Sequence, residues 1–520
     1  MIFKLKIIAF IAISNSLTEV LTLNILAIFP LAVKSHFFVF APYLNELANR
    51  GHNVTVISFY PQIKSSANYH DIDLSENLMP IEVNHPVSKS LFTVFLSLTI
   101  VHAIVGPFTC RILMEDENVQ KLRETQVKFD LAIVEQFNSD CGLALAHVLK
   151  TPVIGMTSHT PMPWHYSRFG IPYNPSYIPF DFLEGGTHTT LFQRIRRIIL
   201  YNYVNFVNHY ITQVLEQNVV DEFFNDIPPL SELAQNIKLV LIYQHFMLSG
   251  SAILPPNIIE VGGYHVAKPN PLPDDLQRFI DESEHGVIYI SFGSLLKPST
   301  IPLEILKEII SALSELPQRV IWKWNKKSLP GNPKNIYLSK WLPQNDILTH
   351  PKVLVFYSHC GLLGTTEAIY NGVPVLGMPI YGDQPTNAAA IEQSGLGVQL
   401  NFDLLTKDYL LEKLKTVLDP KFRERVKLLS KAWHDRPIKA MDSAVFWTEF
   451  AARHHNLTFR SPTINVPLYQ YFCLDVLFVL FLLFVGIIIG LKYLFSFLVK
   501  GIRNKYSKNL SISEKNVKVD

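Results

Sequence analysis

Short apolar runs bounded by glycine and proline recur along this chain, and most precede a stretch in which apolar residues return every three or four positions. The first run, Leu23–Phe29, ends at Pro30. After a loop over 31–35, a helical pattern starts at His36 and sets Phe40, Tyr43, Leu44 and Leu47 on one face. Gly51 closes that helix, and Asn53–Phe59 supplies the next strand. Further strands are predicted at Phe129–Val134, Pro152–Thr157, Leu239–Tyr243, Gly286–Ser294, Val320–Trp324, Val353–Tyr357 and Val375–Met378. Helical periodicity marks Thr190–Phe224, Pro302–Leu313, Asn387–Gln393, Thr406–Leu418 and Phe422–Lys431. Strands that are apolar throughout are buried on both faces, and helices between them make the connections of a parallel sheet. The pattern predicts an α/β protein of two Rossmann-like β/α/β domains, 21–267 and 268–465, divided at the Pro-rich segment Lys268–Asp274.

Two segments of the first half break this rhythm. Leu91–Gly106 is apolar but mixed with Ser and Thr, and is predicted as an amphipathic helix facing a lipophilic cavity or a bilayer. Ser158–Phe182, rich in Pro, Tyr and His, has loop composition. The two ends depart from globular patterning altogether. Residues 1–20 place Lys4 and Lys6 before the apolar run Ile7–Ile13 and then small residues, the layout of a signal peptide. Residues 471–491 approach the roughly 20 apolar positions a transmembrane helix needs. The tail 492–520 opens with Lys492, Lys500, Arg503, Lys505 and Lys508, so the positive-inside rule sets it in the cytosol as the end of a type I anchor.

Composition narrows the classes. With 520 residues, a net charge of +2 and 48% hydrophobic residues, the chain suits neither a disordered protein nor a nucleic-acid binder. Four cysteines make no disulfide framework and no zinc spacing; Cys110, Cys141, Cys360 and Cys473 are expected mostly as buried thiols. The group Arg194, Arg196 and Arg197 reads as a solvated face or a contact to lipid headgroups.

Candidate chemistry concentrates between Trp341 and Gln384. Ser358, His359, Cys360 and Gly361 stand where an apolar strand hands over to a helix, and the free N–H groups of a helix N-terminus favour a diphosphate there. His359 can donate to that diphosphate, and Glu367, two turns along, can accept from vicinal ribose hydroxyls. Trp341 offers a flat face to uracil and Gln344 an amide to its edge, while Asp383 and Gln384 can hold the hydroxyls of a second sugar. In the first half, His36 follows the first strand and Glu135 the strand that ends at Val134. A carboxylate there can hold the second ring nitrogen of a histidine base, with Asp140 as the competing partner or a helix-start acid.

The runs W-L-P-Q from Trp341, H-x-G-x-x-x-T-x-E from His359, G-V-P-V-x-G-x-P from Gly372 and G-D-Q from Gly382 resemble the signature of the UDP-glycosyltransferases, the membrane-bound family that conjugates lipophiles. Lys34-Ser35-His36 resembles the end of that family's G-K-S-H loop, although Ala32 and Val33 replace the expected Pro and Gly. The resemblance implies a two-domain GT-B fold, a donor pocket in the second domain that also uses Ser294, His36 as general base and Glu135 as its partner. It implies inverting transfer of a hexose from a UDP-sugar to a hydroxyl of a lipophilic acceptor, with glucose favoured by the invertebrate-like wording and UDP-glucuronate as the alternative donor. No cofactor or metal is required; homo- or hetero-oligomers and residence in the endoplasmic reticulum membrane, with the catalytic domains lumenal, are admitted. Asn456 opens a sequon and is the better of two glycosylation candidates, the other being Asn53. Two rivals stand beside this reading. One is a metal-dependent transferase using Asp71-Ile72-Asp73, which is expected in a polar loop; the other is a catalytically silent lipophile-binding membrane protein of the same fold.

Overall fold

The computed structural model describes residues 22–516 apart from 63–65, 78–90, 126, 181–182, 184, 188, 251, 294–300, 327 and 458–459. The signal-peptide segment and Ser294 therefore lie outside the described residues. Residues up to Ser461 form one compact unit and Pro462 onward a second.

Within the first unit, β1 (Asn24–Phe29), β2 (Asn53–Ser58), β3 (Tyr69–Asp73), β4 (Leu131–Glu135), β5 (Val153–Met156), β6 (Val240–Ile242) and β7 (Ile258–Glu260) make one sheet, in the order β3-β2-β1-β4-β5-β6-β7. β8 (Val287–Ser291), β9 (Arg319–Lys323), β10 (Ile336–Ser339), β11 (Val353–Ser358), β12 (Val375–Gly377) and β13 (Gly397–Gln399) make the other, in the order β10-β9-β8-β11-β12-β13. The strand pairs are parallel in both. Each sheet reverses its winding once, between β1 and β4 in the first and between β8 and β11 in the second. At such a switch point the loops leave in opposite directions and open a crevice at the carboxyl edge.

Side chains alternate across each strand. Leu26 and Ile28 of β1 pack to one side with Ala132 and Val134, while Ile25, Ala27 and Phe29 pack to the other. That second cluster continues into Val287 and Tyr289 of β8, so the two sheets share one apolar interior. The helix Ala440–Arg453 reinforces the union by returning to the first half: Thr448 bonds Tyr43, Asp442 pairs with Arg50 and Glu449 with His52.

Several expectations change. Asp71 and Asp73 lie on edge strand β3, not in a loop; Asp71 accepts from the Gln62 backbone and Asp73 from that of Ser75. The stretch Ser158–Phe182 contains the helix Pro163–Phe169, started by Pro163 and stopped by Gly170 at φ 69°. Arg197 is not solvated: it is 2% exposed and donates to the carbonyls of Pro175, Ile178 and Gly186. The C-terminal helix of the second unit does not stop at 491 but runs from Leu474 to Asn516, with its apolar side chains exposed.

The cysteines are also corrected. Cys110, in the helix Gly106–Glu115, and Cys141, opening the helix Cys141–Val148, form a disulfide, and Cys473 is exposed; only Cys360 is a buried thiol. The bond closes a loop of 31 residues. Removing both sulfurs as Cys110→Ala/Cys141→Ala is expected to lower stability by about 3–4 kcal/mol, mainly by freeing the unfolded chain. Denaturant unfolding of the purified proteins checks this.

Beside the disulfide lies a buried polar cluster. Arg168 grips both carboxylate oxygens of Asp140 at 2.8 and 2.7 Å, Gln213 donates to the same carboxylate, and Glu216 accepts the Asp140 backbone N–H at 3.0 Å. Burial, and then the charge of Asp140, push Glu216 up from the usual 4.5 to about 8. The folded protein thus keeps a proton that the unfolded chain releases above 4.5. This contribution to stability is whole below about 4.5 and is lost as pH rises towards 8. Glu216→Gln should therefore unfold at a higher temperature relative to wild type at pH 8 than at pH 5, as read from melting curves at both pH values.

Candidate active site

Two switch-point edges supply the groups. In the first half, the helix Lys34–Asn49 follows β1 after the short loop 30–33, two residues earlier than the apolar pattern indicates, which sets His36 on its first turn. Glu135 is the last residue of the adjacent β4 and only 4% exposed. The two meet, His36 Nδ1 to Glu135 Oε1, at 3.1 Å. A carboxylate only accepts, so Nδ1 carries the hydrogen and Nε2 presents its lone pair. Ser158 Oγ lies 2.9 Å from the same Nδ1, and the Phe137 ring stands edge-on to the imidazole at 4.8 Å. Asp140 is not in this group; its carboxylate is taken up by Arg168 and Gln213, and it does not cap the helix it precedes.

In the second half, β8 and β11 deliver Ser291–Gly293 and Ser358–Gly361 to the other switch point. The helix Leu362–Tyr370 starts right after Gly361. His359 fills the space between two glycines: a Cβ on Gly293 would lie 2.6 Å, and one on Gly361 2.7 Å, from His359 Nε2. Gly361 is thus required by the imidazole packed against it and not by its backbone angles, which are ordinary at φ −61°. Burial, then the neighbouring Lys323, lower His359 to about 4, so it is a neutral ring able to donate one hydrogen bond at pH 7.

Gln344 and Glu367 bond each other, Nε2 to Oε2 at 2.6 Å, and the Tyr289 hydroxyl donates to Gln344 Oε1 at 3.1 Å. His265 Nε2 stands 3.5 Å from the other Glu367 oxygen. Trp341 is 71% exposed. Burial raises Asp383, and the hydrogen bond that Asn387 donates to its carboxylate partly offsets this. Gln384 turns its side-chain oxygen to the backbone N–H groups of Ile380 and Tyr381, closing the turn that presents Asp383.

Three further residues join the cleft without a signal in the sequence. Lys323 ends β9, donates to the Gly293 carbonyl at 3.2 Å and interacts with Lys34 and Glu367. Ser158 and His265 reach the site only because their loops fold over it. A cavity of about 180 Å³ opens between the halves, walled by Thr160, Tyr166, Tyr177, Phe246, Asn387 and Gln393 among others.

The family described as UDP-glucoronosyl and UDP-glucosyl transferase matches residues 25–509. The chain is 37% identical over 493 residues to a UDP-glycosyltransferase of Dactylopius coccus, covering 93% of this chain and 94% of that protein. This chain belongs to the UDP-glycosyltransferase family. It is also 32% identical over 483 residues to UDP-glucuronosyltransferase 2B1 of Rattus norvegicus, with 87% and 89% covered. Among solved structures it resembles a Phytolacca americana glycosyltransferase complexed with UDP-2-fluoroglucose and pterostilbene, at a TM-score of 0.55 and 18% identity over 83% of this chain and 99% of that one. The fold is GT-B, and this UDP-glycosyltransferase is an enzyme that transfers a sugar from a UDP-sugar.

Proposed function

We propose that this UDP-glycosyltransferase moves glucose, with inversion, from UDP-glucose to a hydroxyl of a small lipophilic acceptor. The observation that carries the reading is the His36–Glu135 pair at the first switch point, with the His36 lone pair left for an incoming hydroxyl. The acceptor proton passes to His36 Nε2 as the acceptor oxygen bonds to the anomeric carbon. The bond from that carbon to the diphosphate breaks, and UDP leaves with the electron pair. Glu135 stabilises the resulting imidazolium. His359, Lys323 and the N–H groups opening the helix Leu362–Tyr370 bind the diphosphate, Glu367 the ribose, Trp341 and Gln344 the uracil, and Asp383 with Gln384 the sugar. Ser294 belongs to the same set by its place in the sequence.

The acceptor's apolar body takes the cavity that begins at Thr160, next to the His159 ring lying 5.9 Å from His36. Glucose as the donor is supported by a second Dactylopius coccus relative, 35% identical and described as a UDP-glucosyltransferase. The helix Leu474–Asn516 supplies a single span of the endoplasmic reticulum membrane, with the catalytic halves on the lumenal side. UDP release from microsomes, with UDP-glucose set against UDP-glucuronate over phenolic and steroidal acceptors in EDTA, tests the proposal. Acceptor-dependent, chelator-resistant release with UDP-glucose is expected. Release only with UDP-glucuronate would overturn the donor, and UDP and lipophile binding without release would overturn the reaction.

A further inference from the structure

Glu367 is approached by a donor on each of its two oxygens, and only one of the donors belongs to the second half. Gln344 Nε2 donates to Oε2 at 2.6 Å. His265 Nε2 faces Oε1 at 3.5 Å, from a side chain only 8% exposed. That nitrogen is buried and has no closer hydrogen-bond partner among the described residues. An unbonded polar atom in the interior is costly, so its place beside Glu367 calls for a partner there.

The loop that carries His265 is shaped to bring it there. It follows β7 and turns through two glycines. A Cβ on Gly262 would overlap the Gln244 carbonyl, so only glycine lets the loop press against the end of β6, and Gly263 adopts φ 94° with Trp433 and Thr366 close by. Tyr243, which directly follows β6 and is fully buried, then bonds His265 Nδ1 through its hydroxyl. Burial raises the Tyr243 phenol far above its usual 10, so the oxygen keeps its hydrogen. A carboxylate only accepts, so in the neutral ring Nε2 carries the hydrogen on the Glu367 side. Nδ1 offers its lone pair, and the Tyr243 hydroxyl donates to it.

Each oxygen of a carboxylate has two lone pairs. With one on each taken by Gln344 and His265, one on each remains for a hydroxyl. A single donor would leave the group free to turn about its last bond, a torsion with broad minima. We propose, on the reading that Glu367 binds the ribose, that His265 is a positioning residue: held by Tyr243, it fixes the orientation in which the Glu367 carboxylate takes both ribose hydroxyls of the UDP-sugar. Tyr243 and His265 belong to the first half and Glu367 to the helix Leu362–Tyr370 of the second, so donor recognition draws on both.

Titration calorimetry of the full-length enzyme in detergent, with UDP and 2′-deoxy-UDP, tests this. Wild type should prefer UDP by about 10- to 100-fold, the usual worth of a hydroxyl bonded to a charged group, and Glu367→Ala should abolish that preference. His265→Ala should cut the preference several-fold, while His265→Gln, whose amide nitrogen can reach towards Glu367, should keep most of it. Tyr243→Phe, which releases Nδ1 without emptying the site, should lower the preference as well; melting curves check that each variant folds. Equal weakening of both nucleotides, or no change, in His265→Ala and Tyr243→Phe, with Glu367→Ala still removing the preference, would overturn the role of His265 and leave the ribose assignment standing. A preference that survives Glu367→Ala would overturn the ribose assignment, and the role of His265 with it.

Discussion

Replacing His36 with Ala is expected to lower turnover by about 10²- to 10⁴-fold, the usual worth of a positioned general base. UDP affinity should be unchanged. The reason is geometric: His36 belongs to the first half, whereas the groups assigned to UDP belong to the second, on and around β8 and β11. A variant that lost both turnover and UDP binding would indicate damage to the cleft and not loss of a base. Glu135→Gln sharpens the test because it keeps the shape but can no longer take the Nδ1 hydrogen as an anion. It should reduce turnover with donor affinity intact, since the imidazolium formed on proton transfer loses its anionic partner. Initial rates at saturating donor, with UDP binding measured by calorimetry, separate these outcomes.

The second large effect is on stability. Arg168→Met is expected to cost about 3–5 kcal/mol, the usual penalty for removing one partner of a buried ion pair. Arg168 donates to both Asp140 oxygens and to Gln136, and all three residues are nearly inaccessible. Without the guanidinium, Asp140 faces Glu216 with no cation between β4 and the helix Gln213–Phe223. Asp140 would then take up a proton or the region would open. Adding Asp140→Asn to Arg168→Met should recover part of the loss, and a double-mutant cycle on melting curves gives the coupling. Equal losses for the single and double variants would show that Arg168 acts by filling space.

How much of this was legible follows from where each element sits. β1, β4, β8 and β11 are central strands, covered on both faces, so their apolar runs announce them. β3 reads Tyr-His-Asp-Ile-Asp at a sheet edge, and β7, β10 and β13 are three or four residues long. Strands short or open on one side need no continuous apolar run, and periodicity passes over them. The helix Pro163–Phe169 lay hidden in Pro-, Tyr- and His-rich sequence because its stability comes from buried Trp164, Tyr166 and Phe169 and not from its own propensity.

The candidate site divides in the same way. His36, Glu135, His359 and Gly361 stand at ends of strands that the pattern locates, and chemistry at a strand's carboxyl edge is readable from the chain. Lys323 closes an ordinary strand, and Ser158 and His265 sit in loops; each acquires its partner from residues far away in sequence. The disulfide between Cys110 and Cys141 and the burial of Arg197 escaped for that reason too.

By itself the sequence determined the two parallel sheets, the strand-to-helix turns that favour a diphosphate, and the apolar C-terminal helix. Each of these rests on local spacing: the period of burial, the residues that stop a helix, the free N–H groups at its start. Only the tertiary structure decided that Glu135 and not Asp140 holds His36 and that Arg168 neutralises Asp140. Those depend on which distant groups are brought within about 3 Å in a low-dielectric interior, where a paired charge is tolerated and an unpaired one is not.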